Sequence, residues 1–274
     1  MGTEVLDSLV PVPGGSVFVR RWRAGSAAHP QIVLLHDSLG SVEQWRDFPA
    51  ALALITGRDV LAYDRLGFGR STPRATRPTV AFIDEEARLF FPAIRQALGM
   101  RRFSLFGHSV GGAMAVAIAA TSADACDAVI TEAAQAFVEA RTLAGIRAAR
   151  VQFADPAQFE KLARWHGDKA RWVLDSWTEV WLASEFANWS LDTHLARVRC
   201  PLLAIHGTED EFGSEEFPRR ISAWAGGRAE FAILEDCGHV PHRERPDAVL
   251  HLAAAFLERS AKGAIHLPPA SSPD

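Results

Sequence analysis

The chain has 274 residues, enough for one large α/β domain or two small ones, and its 48% hydrophobic content excludes disorder for the bulk of it. Twenty-nine basic against 33 acidic residues leave a formal net charge of −4, without the basic field that nucleic acid or anionic lipid requires. The longest strongly apolar stretch, 110–120, is far short of the roughly 20 residues of a membrane span, so neither a membrane nor a nucleic acid is expected as a partner. The opening residues Met1-Gly2-Thr3-Glu4-Val5-Leu6-Asp7 carry acid where a secretory signal carries positive charge, and the expected location is cytoplasmic. Three cysteines, Cys126, Cys200 and Cys237, are too few and too scattered for a disulfide framework or a zinc site, and read as reduced and structural.

In chain order, the hydrophobic pattern opens with a hairpin, strands at 9–13 and 17–23 flanking the turn signal Gly14-Gly15. Apolar runs at 31–36, 60–63, 103–106, 128–131, 201–206 and 229–234 read as strands buried on both faces. Helical stretches at 43–55, 79–98, 110–121, 215–225 and 246–260 lie between and after them, the last behind Pro246, a favourable first-turn residue. That alternation predicts an α/β fold with a mostly parallel eight-stranded sheet flanked by helices. One segment breaks the rhythm. Between the sixth and seventh strands, about seventy residues carry no strand pattern, far more than a single crossover helix uses. Residues 136–195 are therefore expected to form a helical cap, inserted after strand 6 into a core made of 1–135 and 196–262. The Pro- and Ser-rich end, 263–274, has the composition of a disordered tail.

The sharpest chemical signal is Gly107-His108-Ser109-Val110-Gly111, with the strand pattern before it and a small-residue helix after it. A tight strand-to-helix turn forces its central residue into a strained conformation, and glycine is needed two positions to either side. Ser109 would then project its hydroxyl at a helix N-terminus, where free N–H groups favour developing negative charge. Such a hydroxyl needs an imidazole to accept its proton and a carboxylate to fix the imidazole's tautomer. Both are available later in the chain. Gly207-Thr208-Glu209-Asp210-Glu211 follows the strand at 201–206, and Gly238-His239 follows the strand at 229–234, at the edge where the carboxyl ends of parallel strands gather. Asp210 is the candidate acid, with Glu209, Glu211 and Glu132 as competitors; His239 is the candidate base. His242 competes with it from a Pro-His-Arg-Glu-Arg-Pro stretch that reads as solvated surface.

These residues resemble the α/β-hydrolase superfamily over about residues 16 to 260. Leu34-Leu35-His36-Asp37-Ser38-Leu39-Gly40-Ser41 is similar to the family's oxyanion loop, and Asp64-Arg65-Leu66-Gly67-Phe68-Gly69-Arg70-Ser71 to its Asp-x-x-Gly-x-Gly-x-Ser turn. The order serine, acid, histidine is also the family's. The resemblance implies a serine hydrolase that needs no metal and no organic cofactor, with the backbone N–H groups of Ser38 and Val110 as the oxyanion hole. Asp37 departs from the commoner glycine. The Ser-Leu-Gly that follows is similar to that of enol-lactone hydrolases, whereas proline iminopeptidases and carbon–carbon bond hydrolases usually carry Gly-Gly or Gly-Pro-Gly there. A serine at the elbow argues against the dehalogenase and epoxide hydrolase branches, which use aspartate.

Five of the eight tryptophans, Trp165, Trp172, Trp177, Trp181 and Trp189, fall in the expected cap. Trp177 and Trp181 are one helical turn apart and form, with Val180 and Phe186 near them, an aromatic face. Most of it is expected to pack the cap onto the core, with part roofing the cleft above Ser109. His36, His108 and Glu132, together with Trp177 and Trp181, are the candidate substrate contacts. The expected activity is cleavage of a carboxylic ester or lactone of a small, largely apolar substrate through an acyl-enzyme. The alternatives are carbon–carbon or amide hydrolysis or acyl transfer by the same triad, a non-catalytic ligand binder, and a cofactor-independent oxygenase.

Overall fold

The computed structural model describes residues 3–25 and 29–264. Its eight strands are β1 (Glu4–Val12), β2 (Gly15–Arg23), β3 (Gln31–Leu35), β4 (Val60–Tyr63), β5 (Phe103–His108), β6 (Cys126–Glu132), β7 (Leu202–Gly207) and β8 (Ala229–Leu234). They form one sheet in the order β1-β2-β4-β3-β5-β6-β7-β8. The β1–β2 and β2–β4 pairs are antiparallel and every other pair is parallel. The hairpin extends from Glu4↔Arg23 to Val12↔Gly15, so β1 begins five residues before the apolar pattern does. Glu4 to Leu9 are all exposed: at a sheet edge, backbone pairing forms a strand that hydrophobic alternation does not announce.

Helices cover both faces. On one side α1 (Phe48–Thr56) and α11 (Pro246–Ala264) pack Leu52, Val249 and Ala253 against Ile32 and Leu34. On the other, α2 (Phe82–Glu85), α3 (Phe91–Ala97), α4 (Val110–Thr121) and α9 (Glu216–Trp224) meet Val33 and Leu35. Alternate residues of β3 thus feed two separate cores, as the two-residue period of a strand requires. A π-helical turn over Glu86–Phe90 joins α2 to α3. The helix predicted at 43–55 divides into a 3-10 turn, Val42–Trp45, and α1, because Arg46 takes φ 53° between them. Cys126 and Cys200, distant in sequence, meet at the starts of β6 and β7 with sulfurs 3.7 Å apart, both free thiols. The expected tail lies, beyond Ala264, outside the described residues.

Between β6 and β7 run α5 (Ala140–Gln152), α6 (Pro156–His166), α7 (Ala170–Trp181) and the short α8 (Asp192–Leu195). The segment docks on the turn formed by residues 64–71. Asp64 organises that turn from within, accepting hydrogen bonds from the backbone N–H groups of Val42 and Arg70. A Cβ at Gly69 would overlap this carboxylate, and one at Gly67 would overlap Trp172, which is why both positions are glycine. From above, His166 Nδ1 accepts from the Gly69 N–H at 2.9 Å, and Nε2–H donates to Leu39 O at 2.9 Å. The Lys169 ammonium donates to the carbonyls of Gly69 and Ser71 at 2.6 and 2.8 Å. Lys169→Met is expected to cost about 1–3 kcal/mol by leaving two carbonyls without their charged donor, read as a lower denaturation midpoint at unchanged slope.

Candidate active site

Ser109 sits between the end of β5 and the start of α4 at φ 56°, ψ −125°, a region that side chains rarely occupy without compensation elsewhere. The compensation is local. A Cβ at Gly107 would overlap the Gly111 carbonyl, and one at Gly111 would overlap the Leu35 carbonyl. The Ser109 N–H donates to Glu132 O at 2.8 Å, tying the turn to the end of β6.

The structure brings the three sequence-predicted side chains together. His239 Nε2 lies 3.0 Å from Ser109 Oγ, and His239 Nδ1 lies 2.9 Å from each carboxylate oxygen of Asp210. An ionised carboxylate only accepts, so Nδ1 carries the proton and the Nε2 lone pair faces the serine hydroxyl. Asp210 is buried and also accepts from the Phe212 N–H at 2.7 Å, with His206 Nε2 at 3.5 Å. Burial disfavours a charged His239, but the Asp210 charge and hydrogen bond outweigh it and raise the imidazole pKa above 6.5. Conversely, burial pushes Asp210 up while His239 pulls it down, with a net fall below the ordinary carboxylate value. Gln135, which the sequence reading passed over, donates from Nε2 to Ser109 Oγ at 3.4 Å.

The oxyanion loop is held from behind. His36 Nδ1–H donates to Asp37 O at 2.8 Å, and Arg65 Nη2 donates to the same carbonyl at 2.6 Å, while His36 Nε2 accepts from the Arg65 N–H at 3.2 Å. No peptide bond among the described residues is cis, and in a trans peptide the C=O and the next N–H point in opposite directions. Pinning Asp37 O inward therefore turns the Ser38 N–H outward. Neither Ser38 N–H nor Val110 N–H donates to a turn, loop or cap carbonyl among the described residues, which leaves both free for an oxyanion. Gly40 is required by space: a Cβ there would overlap Asp37 and His36.

A second histidine–acid pair lies beneath the first. The short helix α10 (Pro241–Glu244) turns His242 inward, where its Nδ1 lies 2.6 Å from Glu132 Oε2, both side chains being buried. The solvated-surface reading of His242 is thus overturned: Trp45 and Phe48 cover its ring at 4.6 and 5.4 Å. Glu132 correspondingly serves His242 and not His239. Burial opposes its charge, yet His242 holds its pKa below the ordinary value. His108 stands between the pairs, donating from Nε2 to the His239 carbonyl at 2.7 Å, and burial pushes its pKa down to about 4. His108, Glu132 and His242 are the one grouping among the described residues with possible metal-ligand atoms within 4.8 Å of one another. Both histidines already have a ring nitrogen engaged in hydrogen bonds. Glu132→Ala, which strands a buried imidazole, is expected to cost about 3–5 kcal/mol at neutral pH, measured by denaturant unfolding. Because the Glu132 pKa is depressed on folding, its contribution is present above the ordinary carboxylate range and fades as pH falls through the folded value.

Ser109 and His239 open into a cavity of about 180 Å3 walled by Leu39, Ile146, Trp177, Trp181, Phe212 and Val240, with Ser38, Gln135, Thr142 and the acids Asp37 and Glu211 also present. Trp177 and Trp181, both on α7, line it. Neither His36, His108 nor Glu132 does: the first braces the oxyanion loop and the other two lie under the elbow, so their expected substrate contacts are replaced by these supporting ones. Trp181 packs against Phe186 and Trp189 at 5.0 and 5.7 Å, while Trp165 is exposed.

The chain belongs to the alpha/beta hydrolase family, which it matches over residues 32–252. It is similar to the proline iminopeptidase of Heyndrickxia coagulans, at 25% identity over 293 residues covering 92% of this chain and 98% of the relative. Among solved structures, the 2-hydroxy-6-oxo-6-phenylhexa-2,4-dienoate hydrolase of Rhodococcus sp. strain RHA1 superposes with a TM-score of 0.75 at 20% identity, covering 93% of this chain and 99% of that one. The proline iminopeptidase of Mycobacterium smegmatis gives 0.74 at 21%, covering 94% and 100%. At such identities the structural likeness shows the fold, not the substrate.

Proposed function

We propose that the protein is a serine hydrolase that cleaves a carboxylic ester or lactone of a small, largely apolar substrate through an acyl-enzyme. The observation that carries this reading is the connected array Ser109 Oγ, His239 and Asp210, at 3.0 and 2.9 Å, opening into a cavity with apolar walls. His239 takes the Ser109 proton as Oγ attacks the carbonyl carbon. The Ser38 and Val110 N–H groups hold the resulting oxyanion, and His239, now charged and steadied by Asp210, protonates the departing alcohol. Water then enters, loses a proton to the same imidazole and releases the acid from Ser109. No step requires a metal or an organic cofactor.

A second reading, amide hydrolysis of a substrate with a free amino group, draws support from the names of the relatives and from Glu211 in the cavity wall, which would meet a cation. The two differ in the leaving group and in substrate charge. Turnover of p-nitrophenyl acetate, butyrate and octanoate against L-proline p-nitroanilide separates them. The ester reading expects the esters to be favoured in kcat/KM and a chain-length optimum set by the cavity; preference for the anilide would transfer the assignment to the peptidases.

A further inference from the structure

Behind the Ser109 cavity lies a smaller one, of about 40 Å3, which shares Ser38, Trp177 and Trp181 with it. The shared walls make the two cavities neighbours, with α7 contributing to both. That volume suffices for a carboxylate or a few waters. Three side chains lining it carry a buried polar atom without a partner: Trp172 Nε1, Ser176 Oγ and Trp181 Nε1. Such atoms are uncommon in folded proteins, because a polar group buried without a partner gives up its hydrogen bonds to water and gains none in return. Three around one small cavity point to an acceptor that arrives with the substrate.

Arg65, a fourth lining residue, supplies the charge. It is 6% exposed, has no carboxylate within ion-pairing distance among the described residues, and spends Nε and Nη2 on His36 and Asp37 O. Its remaining nitrogen, Nη1, has only the Met114 thioether, at 3.7 Å. Of the other charged groups in the lining, Glu86 acts on it, though from beyond ion-pairing distance. Arg74 is paired with Glu85 at 2.8 Å. Glu86 accepts the Tyr63 hydroxyl at 2.6 Å, and burial raises its pKa, with Tyr63 and Arg65 opposing the rise.

We infer that the inner pocket binds a carboxylate borne by the substrate at the end remote from the scissile bond, held by Arg65 Nη1, Trp172 Nε1, Ser176 Oγ and Trp181 Nε1. This rests on the hydrolase reading above and narrows it: the substrate is an anionic half-ester with an apolar middle that spans the tryptophans. An amine would be repelled by the guanidinium, and an uncharged tail would leave it without an ion-pairing partner.

The test compares kcat/KM for two probe sets by pH-stat. Monomethyl esters of linear C5, C6 and C8 dicarboxylic acids carry the charge on the acyl side, and ω-acetoxy C4, C6 and C8 carboxylates carry it on the alcohol side. Each is measured against its own neutral methyl ester. At least one charged probe is expected to exceed its neutral counterpart by roughly tenfold or more, the worth of a charge-assisted hydrogen bond. Ser176→Ala and Trp172→Phe are each expected to lower that ratio by about threefold to tenfold; a merely structural role would scale both substrates alike and leave it unchanged. If neutral esters turn over on the untreated protein and a fluorophosphonate labels Ser109 in a parallel sample, but no charged probe is preferred, the pocket holds only water and this inference falls while the hydrolase reading stands. If no ester of either kind turns over and Ser109 takes no label, both fall.

Discussion

Ser109→Ala is expected to lower kcat for p-nitrophenyl esters by roughly 10^4- to 10^6-fold with little change in fold stability. The reason lies in the division of labour. Removing Oγ removes the atom that bonds to the carbonyl, and His239, 3.0 Å away, then has no hydroxyl to activate. What survives is the oxyanion hole and binding, which in serine hydrolases leave a residual of about 10^3- to 10^4-fold over water. Alanine should also relax the elbow little, since the φ of 56° at position 109 is imposed by the strand and helix on either side. Unfolding curves for the two proteins should nearly coincide. A variant with kcat within tenfold of wild type would show that the nucleophile lies elsewhere.

The second large effect belongs to the acid. Asp210→Asn is expected to lower kcat by about 10^4-fold, because an amide can donate to Nδ1 and so stabilise the tautomer that points a proton, not a lone pair, at Ser109. The pH profile should move as well. In the wild type, His239 is a base only when neutral, so kcat/KM should rise with pH through a pKa above 6.5, raised there by Asp210 against the effect of burial. Loss of the carboxylate leaves burial dominant. The residual activity of Asp210→Asn should then reach its plateau at lower pH than wild type. A limb displaced to higher pH would contradict the assignment of Asp210 as the group that holds the imidazolium.

Legibility in the sequence followed how tightly physics ties a pattern to a place. The Ser109 elbow could be read because only glycine fits at 107 and 111, against the Gly111 and Leu35 carbonyls, so the constraint is written in residue identity. The buried parallel strands were legible for a similar reason: both faces are covered, and the runs are apolar throughout. Strand β1 was half hidden, since an edge strand with seven exposed residues needs only backbone pairing. The fate of His242 was invisible because its neighbours Arg243 and Glu244 are charged, and a single short helix turns it under Trp45. Gln135 lies three residues beyond β6, at the carboxyl edge of the sheet. That position was available from the strand pattern, although nothing in the residue type singled it out. The inner pocket is assembled from the Asp64–Ser71 turn, the helices that follow it and α7. No local motif encodes it, and its donors come together only in three dimensions.

The central claim, that Ser109 is a nucleophile activated by His239, is tested most directly by treating the wild-type protein with a fluorophosphonate and locating the adduct by peptide mass spectrometry. One adduct per chain, on Ser109, is expected, with none on Ser109→Ala and slowed labelling on His239→Ala. A wild-type protein that stays unlabelled while folded, or an adduct on another residue, would contradict it.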